Sequence, residues 1–122
     1  MDESRVFGKR ILLVEDERWV RECIKRLLWL DAHNVSEASN GSEAVALFVS
    51  GEFDVVITDY DMPEMAGDEL VANIRTLSRD QPIVLITACA DRLMRQDTRA
   101  DAILGKPFGV AELRHTLAAL LK

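Results

Sequence analysis

The sequence predicts an α/β domain built on one doubly wound, five-stranded parallel sheet. Two observations lead there. Short, unbroken apolar runs such as Arg10-Ile-Leu-Leu-Val14 and Ile83-Val-Leu-Ile-Thr87 read as strands covered on both faces. Between such runs, apolar residues recur at the three-four spacing of helix faces, so strand and helix alternate strictly along the chain.

The first strand is Arg10 to Val14. Val20, Cys23, Ile24, Leu27 and Leu28 then mark one face of a helix, which makes Cys23 a core residue and the flanking Trp19 and Trp29 packing residues. A weak strand covers Asn34 to Ala38. Asn40-Gly41-Ser42 is turn chemistry, and Glu43 to Val49 forms a helix with Ala44, Leu47 and Phe48 inward. Asp54 to Thr58 is a strand, and Leu70, Ile74 and Leu77 mark the third helix. After the strand Ile83 to Thr87 come a short helix over Asp91 to Thr98 and a brief strand over Ala102 to Leu104. A last helix buries Val110, Leu113, Leu117 and Leu120. Parallel neighbours need crossover helices, so five strand–helix pairs imply helices on both faces of the sheet.

At 122 residues the chain is expected to form one domain, residues 1–122 with a core from about 9 to 121. Hydrophobic residues at 48% and charged residues at 30% suit a soluble globular protein. No apolar run approaches the length of a membrane span, and Met1-Asp2-Glu3-Ser4-Arg5 is no signal peptide, so a cytoplasmic location without membrane contact is expected. A net charge of −6 argues against direct nucleic-acid binding, which needs Lys and Arg patches. Cys23 and Cys89 have no metal-like spacing and no expected disulfide.

In open parallel sheets, ligands bind beyond the carboxyl ends of the strands. Those ends carry Glu15-Asp16-Glu17 after the first strand, Asp59-Tyr60-Asp61 after the third, Thr87-Ala88 at the fourth and Lys106-Pro107-Phe108 after the fifth. Singly, each has a plain reading: an acidic helix cap, strand filler, a surface lysine. Together they describe one crevice. Crowded carboxylates must protonate or capture a cation, and oxygen-only ligands suit a hard ion such as Mg²⁺. Thr87 and Lys106 then suit the oxygens of a phosphoryl group, and an Asp can serve as the nucleophile that receives it.

These residues resemble the response-regulator receiver family of two-component signalling, including its single-domain chemotaxis regulators. The resemblance covers about residues 9 to 121. It rests on Ile11-Leu-Leu-Val-Glu15-Asp16-Glu17, Asp59-Tyr-Asp61-Met-Pro-Glu-Met-Ala-Gly67, Leu85-Ile-Thr87-Ala88 and Lys106-Pro107-Phe108. It implies the flavodoxin-like strand order 2-1-3-4-5 and a phosphoacceptor switch with Asp59 as acceptor. Asp16 would be a direct Mg²⁺ ligand, with Glu15 as the second acid acting through water and the Asp61 backbone carbonyl as a further ligand. Thr87 and Lys106 would engage the phosphoryl group, and a cis bond before Pro107 would aim Lys106 inward. A histidine kinase or phosphotransfer protein would be the donor. The result is a switch that assists only its own phosphorylation and dephosphorylation.

Several positions depart from the family pattern. Glu15 stands where Asp is usual, Asp61 adds a carboxylate near the acceptor, and Cys89 follows Thr87 by two residues, where it serves either packing or the lifetime of the phosphoryl group. Ile103 stands where an aromatic is usual, and the stretch from Thr87 to Lys106 is short, implying a shortened fourth helix and a signal transmitted without a rotating aromatic. Glu15 and Ile103 leave open a pseudo-receiver that binds partners without phosphate. Asp59-Tyr60-Asp61 also resembles the Asp-x-Asp of haloacid-dehalogenase-type phosphatases, a more remote reading. Pairing of two copies through the fourth and fifth helices is a further option. The kinase, the output and the presence of other domains are open.

Overall fold

The structure, a computed structural model, describes residues 5–94 and 99–122. Its elements run β1 (Arg10–Val14), α1 (Arg18–Trp29), β2 (Asn34–Ala38), α2 (Gly41–Ser50), β3 (Val55–Asp59), α3 (Gly67–Leu77), β4 (Ile83–Thr87), α4 (Ala90–Met94), β5 (Ala102–Gly105) and α5 (Val110–Leu121). All strand pairs are parallel and the order is β2-β1-β3-β4-β5. The expected alternation, sheet and strand order are present. For α4, the expected helix continued to Thr98, and residues 95–98 lie outside the described part.

Successive side chains of a strand point to opposite faces, so the apolar runs supply two cores. On one face Ile11, Leu13, Ile57, Val84 and Ile86 meet Ile24 and Leu28 of α1 and Leu113 and Leu117 of α5. On the other, Leu12, Val14, Val56, Ile83 and Leu85 meet Ala44 and Phe48 of α2 and Leu70, Val71 and Ile74 of α3. The three central strands are therefore buried at every position but Arg10 and apolar up to their carboxyl ends, while the edge strand β2 carries the polar sequence Asn-Val-Ser-Glu-Ala. The Asn40 side chain caps α2, its Oδ1 accepting from Glu43 N–H at 2.8 Å.

Three expectations on α1 fail for one geometric reason. Cys23 is exposed, as are Trp19 (82%) and Trp29 (54%). The inward line of α1 is Ile24 and Leu28, four residues apart, and Val20 and Leu27 flank it half-buried. Cys23 and Trp19 fall on the solvent side of that line, and Trp29 instead carries the Lys25 ammonium 4.9 Å from a ring centroid. The stripe read from spacing is wider than the contact the sheet makes.

At the amino-terminal end of the sheet, the buried Asp31 carboxylate binds the guanidinium groups of both Arg114 (2.9 Å) and Arg5. Burial pushes its pKa up, but the two cations outweigh burial and hold it below the usual carboxylate range. The clasp ties the N-terminal segment and α5 to the turn after α1. Asp31→Ala is expected to lower stability by roughly 3 kcal/mol in urea unfolding, since breaking a buried charge pair strands its partners. Wild-type stability would show the clasp to be ornamental.

Candidate functional site

β1, β3, β4 and β5 deliver their carboxyl ends to one crevice. Glu15 immediately follows β1, and its N–H continues the ladder to Ala38 O at 3.1 Å. Asp59 is the last residue of β3, in register with Ile86. The strand thus runs one residue further than the sequence reading, which ended it at Thr58, and Asp59 is held in the ladder to β4. Tyr60 extends that restraint: its N–H donates to Ile86 O and its carbonyl accepts from Gly67 N–H, both at 2.8 Å. Gly67 permits this approach of α3, because a Cβ there would lie 2.6 Å from the Asp59 carbonyl oxygen. Asp61, two residues beyond Asp59, is exposed.

Glu15, Asp16 and Asp59 each bring a carboxylate oxygen within 4.8 Å of the others. Lys106 closes the crevice from the far side. Its N–H donates to Thr87 O at 2.8 Å, and its ammonium lies 3.0 Å from Glu15 Oε1 and 3.2 Å from Asp59 Oδ1. The Lys106–Pro107 peptide bond is cis. Thr87 is buried, and its Oγ1 accepts from Cys89 N–H at 3.0 Å. Acids 44 positions apart in the chain therefore meet, with Thr87 and Lys106 at the flanking strand ends.

The electrostatics of this cluster are unbalanced. Glu15 is 1% exposed, and burial raises its carboxyl to about 7, aided by the adjoining Asp59 carboxylate and opposed by Lys106. Burial works against the Lys106 ammonium too, but Glu15 and Asp59 outweigh it and lift its pKa above the usual lysine value. Glu15 Oε2 and Asp59 Oδ1 are buried without a well-aligned hydrogen-bond donor. One lysine cannot satisfy three carboxylates. Oxygen ligands with unused lone pairs and excess negative charge fit a hard divalent cation such as Mg²⁺.

Sequence reading did not anticipate three features of the site. Lys106 reaches Glu15 across 91 positions. Gly67 supplies close approach, for which its place at the start of α3 is the sequence signal. Arg21 donates to the Glu15 carbonyl oxygen at 2.8 Å, a contact only weakly signalled by its position one turn into α1.

The fold and crevice define an α/β domain with an acidic, lysine-flanked pocket at the carboxyl ends of its strands. The response regulator receiver domain matches residues 11–118. The chain is 38% identical to response regulator MprA of Mycolicibacterium vanbaalenii over 116 residues, which is 93% of this chain and 50% of that protein. It superposes on response regulator TrrA of Thermotoga maritima, solved in complex with Mg²⁺-BeF, with a TM-score of 0.87 and 36% identity over 93% of this chain and 99% of that one. Against chemotaxis response regulator CheY4 of Vibrio cholerae the TM-score is 0.85 at 29% identity, covering 93% and 99%. The chain belongs to the response regulator receiver domain family. It spans about half the length of the curated relatives it matches.

The Glu15 shift has a measurable sign. Between its ordinary value of 4.5 and about 7 the folded protein holds a proton that the unfolded chain has lost. This group's contribution to metal-free stability therefore falls as pH rises through that window, then levels off. Glu15→Gln removes that dependence. Metal-free melts should show the variant gaining on wild type from pH 4.5 to 7, by up to about 3 kcal/mol. Parallel curves would contradict the assignment.

Proposed function

We propose that this domain is a phosphoacceptor switch that takes a phosphoryl group from a phosphohistidine onto Asp59. The gathering of Glu15, Asp16 and Asp59 around one point, with Lys106 opposite, carries this reading. Asp16 and Asp59 would hold Mg²⁺ directly, Glu15 through water, with the Asp61 backbone carbonyl as a further ligand. When bound, the ion neutralises charge on the phosphoryl oxygens.

The protein's own residues do the rest. An Asp59 carboxylate oxygen attacks phosphorus, the phosphorus–nitrogen bond to the donor imidazole breaks, and the imidazole leaves with the bond's electron pair. Lys106 balances the charge arriving on the phosphoryl oxygens. The Thr87 hydroxyl, now accepting from Cys89 N–H, would turn to donate to the phosphoryl group and draw the β4–α4 segment with it. Phosphorylation shifts a two-state equilibrium, so the domain acts as a switch and assists only its own phosphorylation and dephosphorylation. Ile103, half-buried in the core beneath α2 and α3, replaces the usual aromatic. A large Ile103 rotamer change on binding of a phosphoryl mimic would contradict transmission without a rotating aromatic.

TrrA has been solved in complex with histidine kinase ThkA. For this chain the partner reading is a histidine kinase or phosphotransfer protein. An apolar groove of about 550 Å³, lined by Trp19, Cys23, Leu27 and Phe108, shares Lys106 and Pro107 with the crevice. A protein presenting a phosphohistidine over Asp59 would lie against it. Among the described residues no helix is long and apolar enough to cross a membrane.

Asp59→Asn is expected to abolish labelling by acetyl phosphate in the presence of Mg²⁺, read by mass spectrometry. Labelling equal to wild type would refute the acceptor assignment. Failure of the wild-type protein to bind millimolar Mg²⁺ would favour a phosphate-independent binding module instead.

A further inference from the structure

The loop between β1 and α1 is three residues long, Glu15 to Glu17, and two of its residues point acids into the crevice. The peptide joining Glu15 to Asp16 sets the direction of both side chains, because each Cα is an end of that rigid plane. An uncompensated change in the backbone dihedrals on either side of this peptide would turn one carboxylate relative to the other. What holds it is therefore relevant to the site, although it touches nothing in it.

On the amide side of Glu15, the N–H is fixed by Ala38 O at 3.1 Å. On the carbonyl side, the oxygen accepts from Arg21 Nη1 at 2.8 Å. Arg21 Nε donates at 3.2 Å to Glu37 Oε1 on β2. Glu37 in turn lies 3.2 Å from the Lys25 ammonium, one turn further along α1. The Arg21 side chain is 17% exposed, so its guanidinium is held in the angle between α1 and β2 and is not a freely rotating surface group. A guanidinium suits this task because its planar fork lets one nitrogen bind the carbonyl while another binds the carboxylate.

We infer that Arg21 is a positioning residue for the cation site: braced by Glu37, it orients the Glu15–Asp16 peptide and so aims both carboxylates. The inference rests on the reading of the crevice as a Mg²⁺ site. The competing account is an ordinary ion pair between a helix and an edge strand, which would support stability and leave metal affinity alone. The two accounts separate because partners outside the ligand set can change metal affinity by about tenfold or more without destroying the fold.

The test is isothermal titration of the whole chain with MgCl₂ at fixed pH, with urea unfolding of the metal-free protein in parallel. Arg21→Gln is expected to raise the Mg²⁺ Kd by about tenfold while keeping a cooperative unfolding transition. Glu37→Gln, which loosens the brace but leaves the carbonyl contact, should raise it by a smaller factor. Arg21→Lys, with charge but no fork, should recover only part of the affinity. A Kd within twofold of wild type for a folded Arg21→Gln overturns the inference, and so does full recovery by Arg21→Lys, which would show that the guanidinium fork is not what positions the peptide. Should Arg21→Gln not fold, the Lys and Glu37 variants decide by the same criteria. Absence of Mg²⁺ binding by the wild-type protein would instead sink the cation-site reading itself.

Discussion

The organising constraint is the compression of three carboxylates at the ends of β1 and β3 against a single ammonium group. Burial first, and the adjoining Asp59 carboxylate second, push the Glu15 carboxyl up to about 7 against the opposing pull of Lys106. A site built this way is unstable against any cation or proton that can enter it.

The fold exists to hold the conflict in place. Asp59 and Thr87 are the last residues of fully buried strands, so neither can retreat from the crevice without breaking a parallel ladder. Tyr60 is pinned to β4 and α3 through both of its backbone groups, and Gly67 allows the second of these contacts. Lys106 is fixed by its backbone bond to Thr87 O, leaving only its side chain to choose between Glu15 and Asp59. The rigid part is backbone and the adjustable part is one hydroxyl and one ammonium. At the opposite end of the sheet, Asp31 joins the N-terminal segment to α5 with two guanidinium groups on one carboxylate, so its negative charge is fully paired. The contrast is informative. A paired buried charge closes off structure, whereas an unpaired one invites a ligand.

Much of this was legible along the chain. The apolar runs of β1, β3 and β4 named the central strands because residues covered on both faces have no polar alternation to disguise them. Acids, a hydroxyl and a lysine at four strand ends marked Glu15, Asp16, Asp59, Thr87 and Lys106 as one set before any geometry was available. Exposure was harder to read. Trp19 and Cys23 lie beside the apolar face of α1, yet the sheet is narrower than the stripe, so they line a groove next to the crevice. Spacing reports which residues share a face, but the width of the covering surface is a property of the neighbouring elements.

By itself the sequence determined the alternation of strands and helices, the burial of the central strands and the chemical kit at their ends, because these follow from local periodicity and residue type. Only the tertiary structure decided that acids 44 residues apart approach within 4.8 Å, that Lys106 reaches Glu15 from 91 residues away, and that Arg21 grips the Glu15 carbonyl in the β1–α1 loop. Those relations depend on parallel register and on the turn of a helix against an edge strand. Such distances are set by packing across the sheet, which no local pattern encodes.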